Sequence, residues 1–340
     1  MFENLHIDMS WVYPTFVIST MSSGKSTLIN ALVGKELLPS SNRACTAKSI
    51  AILDNDMQDE FLIHAIDKDE NYSLIHNADQ QTIIDYNHTN ELKEMIIEGE
   101  ISGIKNSKKS LFIIDTPGVN NSMDISHENV TKKTLEEYSE GLIIYVINAL
   151  QLATYDDSAF LSFIADKVKN NSKFKIIFAI NKMDSIDPEK EDPKQLIDNC
   201  RHYIEERGID DPIVIPISAS GAVTIKKILK GDALSETQEE DFSRLYRHFH
   251  REGFSLKDFA IIPEIDTMSE YYTIDGKQYT KSELIAVLEN TGVPLLEKMI
   301  DDMLVDSLKM KAPKITLKKR TQTITTNRKK TKRNRKRKKR

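Results

Sequence analysis

The sequence predicts an α/β fold, a mostly parallel sheet with helices on both faces. A β-branched and aromatic run, Thr15 to Ser19, passes through a Ser/Gly loop into a helical pattern from Lys25 to Val33. Four further apolar runs follow, Leu111 to Ile114, Leu142 to Ile147, Lys175 to Ile180 and Ile213 to Ile217, with helix-like segments between them. Strands that alternate with helices imply parallel order. With 340 residues, 39% of them hydrophobic, the chain can bury a large core.

Taken in order, the first strand and helix enclose the loop Met21 to Ser26, which reads as a phosphate cradle. In the G-x-x-x-x-G-K-[ST] pattern, backbone N–H groups and a helix N-terminus surround a polyphosphate, the lysine reaches its terminal phosphates and the hydroxyl ligates magnesium. Gly24, Lys25 and Ser26 supply those parts, while Ser19 stands where the first glycine is expected. Ile50 to Leu53 and Phe61 to Ile66 read as strands around a turn, and are expected to pair as a hairpin. Asn77 to Lys109 is a polar insertion with helical patches, among them Glu91 to Ile97. Beyond Gly221, Ser235 to Phe249 and Lys281 to Asn290 read as helices, the second with a capping box at Thr280 and Glu283. Gly292 and Pro294 then separate it from a last helix starting at Leu295.

Charge is strongly segregated. Of the 47 Lys and Arg, 17 lie between Lys309 and Arg340, a stretch with no acid; the other 30 face 52 Asp and Glu, a net of −22. The expected domain organisation is therefore a globule over 1–310 and a basic disordered tail over 311–340. Such a tail calls for an anionic partner, a membrane surface or RNA. Cys45 and Cys200 are too far apart in sequence for a metal-ligand spacing and suggest reduced thiols in a cytosol. The N-terminus has no basic, apolar leader, and no run approaches the roughly 20 apolar residues of a membrane span.

Binding sites in open α/β sheets lie at the carboxyl ends of the strands. Here those ends carry Asp115-Thr116-Pro117-Gly118, Asn181-Lys182-Met183-Asp184 and Ser218-Ala219-Ser220. Asp115 is placed to hold magnesium through water, and the Gly118 N–H to meet the terminal phosphate. Asp184 is placed to accept from the two ring-edge donors of guanine, which adenine lacks, with the Lys182 stem over the base. The backbone of Ser218-Ala219-Ser220 is expected to contact the base oxygen.

Together with MSSGKSTLINALVGKELLPS at 21–40, ACTA at 44–47 and NALQLATYDD at 148–157, these motifs resemble the dynamin family, most closely its bacterial dynamin-like members, over residues 14–305. The offset of 69 positions from Thr46 to Asp115 leaves room for an insertion similar to the enlarged dynamin-type sheet. The resemblance implies a GTPase head that binds Mg-GTP and hydrolyses it, with Ser22, Ser23, Gly24, Lys25, Ser26 and Thr27 around the phosphates. It implies magnesium ligands Ser26, Thr46 and Asp115, and a catalytic set Lys25, Thr46, Ser22 and Gly118. By the same resemblance Ser22 helps place a monovalent cation, and a homodimer through the nucleotide face, or a stalk-bearing dynamin-like partner, orders the site. Val119 stands where Ras-type enzymes carry a water-orienting glutamine, Met21 replaces the glutamine of eukaryotic dynamins, and Arg43 is a candidate arginine finger. Expected use is membrane remodelling by a cytoplasmic, peripherally attached protein. Two alternatives stand beside it, an RNA-associated regulatory GTPase that uses the basic tail, and a nucleotide-binding module with little hydrolysis.

Overall fold

A computed structural model describes residues 2, 4–20, 22–39, 49–88, 92–101, 103–104, 109–116, 125–151, 158–187, 189–250, 271–305, 315–317 and 324–327. In chain order the first half gives β1 (Leu5–Ile7), β2 (Val12–Ser19), α1 (Lys25–Val33), β3 (Ser49–Asp54), β4 (Leu62–Asp67), β5 (Tyr72–Ile75), α2 (Gln80–His88), β6 (Leu92–Gly99), β7 (Ser110–Asp115) and α3 (Ile125–Glu136). Then come β8 (Gly141–Asn148), α4 (Ser158–Asn170), β9 (Phe174–Asn181), α5 (Pro193–Glu205), β10 (Val214–Pro216), α6 (Ala219–Lys230) and α7 (Glu236–Phe249). The last elements are β11 (Tyr271–Ile274), β12 (Lys277–Thr280), α8 (Lys281–Asn290), α9 (Val293–Val305), β13 (Ile315–Leu317) and β14 (Ile324–Asn327).

One ten-stranded sheet organises the molecule, in the order β10-β9-β8-β2-β7-β3-β6-β4-β5-β14. The first five of these are mutually parallel, β3 reverses against β7, and β4 lies antiparallel to both β6 and β5. Every residue of β2 and β8 is buried, because both faces of a parallel sheet are covered; this is why they read as unbroken apolar runs. Alternate residues feed two cores. Phe16, Ile18, Tyr145 and Phe178 pack with α4, α5 and α7, whereas Val17, Ile144 and Ile177 pack with α1 and α9.

Two expectations fail in the insertion. The runs at 50–53 and 61–66 do not form a hairpin, because β6 lies between them, parallel to β3 and antiparallel to β4. Of the stretch expected to be helical at 91–97, residues 92–97 belong to that strand. Its apolar residues divide between the two cores, Met95 and Ile97 to one and Ile96 to the other. Helical spacing arose because two buried glutamates interrupt the pattern, and each is fully provided for. Glu94 accepts from the backbone N–H groups of Asn4 and Leu5 at 3.0 and 2.9 Å. Glu98 accepts from Asn55 at 2.6 Å and meets His64 at 2.9 Å. Within the basic tail, the two β-branched islands form strands, β13 antiparallel to β1 and β14 parallel to β5.

Burial pulls the Glu98 carboxyl upward, but the hydrogen bonds from His64 and Asn55 and the His64 charge hold it below its ordinary 4.5. A depressed folded pKa contributes stability that is complete above the unfolded pKa and lost as pH falls through the folded value. The melting-temperature gap between the parent and Glu98→Gln should therefore be widest above about pH 5.5 and close on acidification to about pH 3.5. A gap that stays constant over that range would contradict the assignment.

Candidate functional site

The carboxyl ends of β2, β7, β9 and β10 converge on one rim of the sheet, and the sequence motifs sit there. After β2 the chain turns through Ser22, at φ 60°, and Gly24, at φ 86°, into α1. Only glycine suits position 24 on two counts. Its φ lies in the left-handed region, and an added Cβ would strike the Asn181 side-chain amide. Gly24 offers α1 no side-chain cap, unlike Asp192, Ser218, Ser235 and Thr280 at the starts of α5, α6, α7 and α8. The first N–H groups of α1 thus point into the loop at the positive end of the helix dipole, the arrangement that suits a phosphate. Thr20 and Ser23 share a hydroxyl hydrogen bond of 2.7 Å that braces the turn.

Lys25 Nζ is in direct contact with the Asp115 carboxylate at the end of β7. Cation and carboxylate, respectively 12% and 4% exposed, meet at one point between two adjacent strands. Thr116 donates to the Val17 carbonyl at 2.9 Å, which fastens the start of the following loop to β2.

Asn181 ties the loop after β2 to the start of α6. Its amide nitrogen donates to the Ser23 carbonyl at 2.9 Å, and its oxygen accepts from the Ala219 N–H at 3.0 Å. Lys182 follows at φ 70°, half-buried, and Asp184 is buried on the next turn. The Ser218 hydroxyl donates to Asp184 Oδ1 at 2.7 Å, so the carboxylate is aimed by the residue that also caps α6. Ser22, Ser23, Gly24, Lys25, Ser26, Thr27, Asp115, Asn181, Lys182, Asp184, Ser218 and Ala219 all belong to these four converging turns. Met21, Arg43, Thr46, Gly118 and Val119 lie outside the described residues.

Donors and acceptors here fit a magnesium-bound nucleoside triphosphate. An uncapped helix N-terminus and Lys25 meet anionic phosphates, and the Ser26 hydroxyl and Asp115 offer the hard oxygens that magnesium takes alongside phosphate and water. Spacing alone had not shown the bridging by Asn181, nor the support from Thr291, whose carbonyl accepts from the Ser218 N–H at 2.8 Å. An asparagine that closes a strand, in a chain whose phosphate-type loop carries Gly24, is the sequence signal for the bridge.

Removing the bridge strands two buried backbone groups. Asn181→Ala is expected to cost about 2–6 kcal/mol in urea unfolding of the ligand-free protein, since each of the two buried groups left without a partner costs about 1–3 kcal/mol. A loss under about 0.5 kcal/mol would mean that the two loops are not held through this side chain.

Residues 16–183 match the family model described as the dynamin family. Dynamin-like protein 1 of Campylobacter jejuni is 25% identical over 243 residues, covering 62% of this chain and 31% of that protein. The chain thus spans about a third of that relative's length. Among solved structures, a chain of an oligomerised bacterial dynamin pair aligns with a TM-score of 0.47 at 18% identity, over 86% of this chain and 42% of that one. Era from Aquifex aeolicus bound to GDP and aluminium fluoride aligns with a TM-score of 0.33 at 20% identity, over 66% and 58%. Residues 16–183, whose sheet is widened beyond β3 by β6, β4 and β5, are a domain of the dynamin family.

Proposed function

We propose that the protein binds GTP with magnesium and hydrolyses it to GDP and phosphate. The observation that carries this reading is the joining of the phosphate loop to Asp184 and Ser218 through Asn181. A site built only for phosphate needs no buried carboxylate at that distance along the sheet. Asp184 is acceptor-only when ionised and pairs with the two donors of a guanine edge, whereas adenine offers no matching pair. Lys182 covers the base with its aliphatic stem.

In this reading the N–H groups of Ser22 to Thr27 wrap the phosphates, and Lys25 neutralises the terminal pair. Magnesium, when bound, withdraws charge from the terminal phosphates and orients them; Ser26, Asp115 and Thr46 are its proposed protein ligands. Among the described residues no cluster of three His, Cys, Asp or Glu is placed to hold a metal. Thr46 and the Gly118 N–H are assigned to orienting the attacking water and the γ-phosphate, and Ser22 to a charge-compensating monovalent cation. With Val119 in place of a water-orienting glutamine, order at the site comes from a second copy closing over the nucleotide face, or from a stalk-bearing partner.

The dynamin-family domain supports peripheral action at a membrane, with the basic stretch from Lys309 to Arg340 as the contact to anionic lipid. Among the described residues no helix is long and apolar enough to cross a bilayer.

A turnover assay over a range of protein concentrations tests the proposal. GTP hydrolysis per molecule should rise with concentration, Lys25→Ala should abolish nucleotide binding, and Thr46→Ala should bind GTP but not hydrolyse it. Specific activity that is flat with concentration would remove the second copy from the mechanism. Parent-like turnover by the Thr46 variant would overturn its assignment.

A further inference from the structure

Helix α6 begins at the base loop, with Ser218 as its cap, and packs against α1. On its buried side stands Lys226, 8% exposed, whose Nζ donates to the Ala31 carbonyl of α1 at 2.8 Å and pairs with Glu297 of α9. One turn on, Lys230 donates to the Gly34 carbonyl at 2.9 Å. Both carbonyls lie at the end of the helix that starts at Lys25, where C=O groups lack intrahelical donors and the dipole is negative. Glu297 is 7% exposed; burial pushes its carboxyl up against the opposing pull of Lys226. Gly103, in the loop after β6, approaches so closely that any side chain there would strike Glu297.

The same helix pair reaches the base loop. The turn between α8 and α9 accepts from the Ser218 N–H through Thr291, and Gly292, at φ 73°, lies against the Pro216 carbonyl. A buried ion pair is a poor device for stability alone, because apolar residues of similar volume do as well or better. Here the pair connects three helices, and one of them carries the phosphate loop at its other end. None of α6, α8 and α9 falls within residues 16–183.

We propose that Lys226 and Glu297 are positioning residues for the nucleotide site, through which α9 holds the phosphate helix α1 in register with the base loop. A displacement of α9 would then be felt at both ends of the site. The consequence for turnover rests on the GTP reading above; the mechanical linkage does not.

The test compares the parent with Lys226→Met/Glu297→Leu, an apolar pair of similar volume expected to melt within about 5 °C of the parent. Hydrogen exchange is measured on nucleotide-free protein. Amides in α1 and in residues 218–221 should exchange about tenfold faster or more, with those of α4 unchanged. The KM for GTP should rise more than kcat falls, because the site is misaligned while its chemistry is intact. Unchanged exchange in α1, or an equal rise in α1 and α4, overturns the proposal, the latter by showing a merely global loss of stability. If the double variant melts well below the parent, Glu297→Gln is measured in the same way and judged by the same two outcomes. Absence of GTP turnover in the parent would overturn the functional reading and leave the linkage to be decided by exchange.

Discussion

The Asn181 amide is the contact on which the rest of the site depends. It spans from the Ser23 carbonyl to the Ala219 N–H, so the loop after β2 and the turn at the start of α6 are joined through one side chain. Other features follow from making room for it. Gly24 has no side chain because the amide occupies that space, and β10 must end beside β9 so that the start of α6 falls within reach. Both bonds are buried, where a broken hydrogen bond is not replaced by water, so the linkage holds the two turns at fixed separation before any ligand arrives. Preformed donors of that kind are what a site for a charged, extended ligand requires.

The sheet is widened on the side away from the base loop, and its polar groups show how the widening is tolerated. Glu94 and Glu98 sit on one face of β6, and each is matched by partners far away in sequence, the Asn4 and Leu5 backbone for one and Asn55 and His64 for the other. His64 in turn meets the Tyr72 hydroxyl at 2.9 Å, which links β6, β4 and β5 through side chains as well as through the ladder. These contacts pin the N-terminal segment and the outer strands to the parallel core that carries the site.

Much of this was legible in the sequence, for identifiable reasons. Helix α1 runs over Lys25–Val33 as the periodicity predicts, and the four later core strands fall on their predicted runs, because a strand covered on both faces is written as an unbroken apolar stretch. Asp115 and Asn181 close β7 and β9, and Asp184 and Ser218 lie just beyond β9 and β10, so the parallel order of these strands brings all four to one rim. Strand β6 was not legible, since Glu94 and Glu98 look like the polar face of a helix until Asn4 and His64 are known to meet them. The misread hairpin follows directly, for a strand taken as helix cannot be placed between its neighbours. Lys226 and Glu297 carry no motif, and only the oddity of a lysine between Ile225 and Ile228 on a buried helix face hints at a partner.

The central claim is that Asp184, aimed by Ser218 and joined to the phosphate loop through Asn181, reads guanine. The most direct measurement is a calorimetric titration of the purified protein with GTP, ATP and XTP, repeated on Asp184→Asn. The account predicts that the parent prefers GTP over ATP by at least about a hundredfold, as expected when a buried polar group is left unmatched by the wrong ligand. It also predicts that the variant shifts its preference to XTP, whose second carbonyl needs a donor. Equal affinity of the parent for GTP and ATP, or a variant that still prefers GTP, would contradict it.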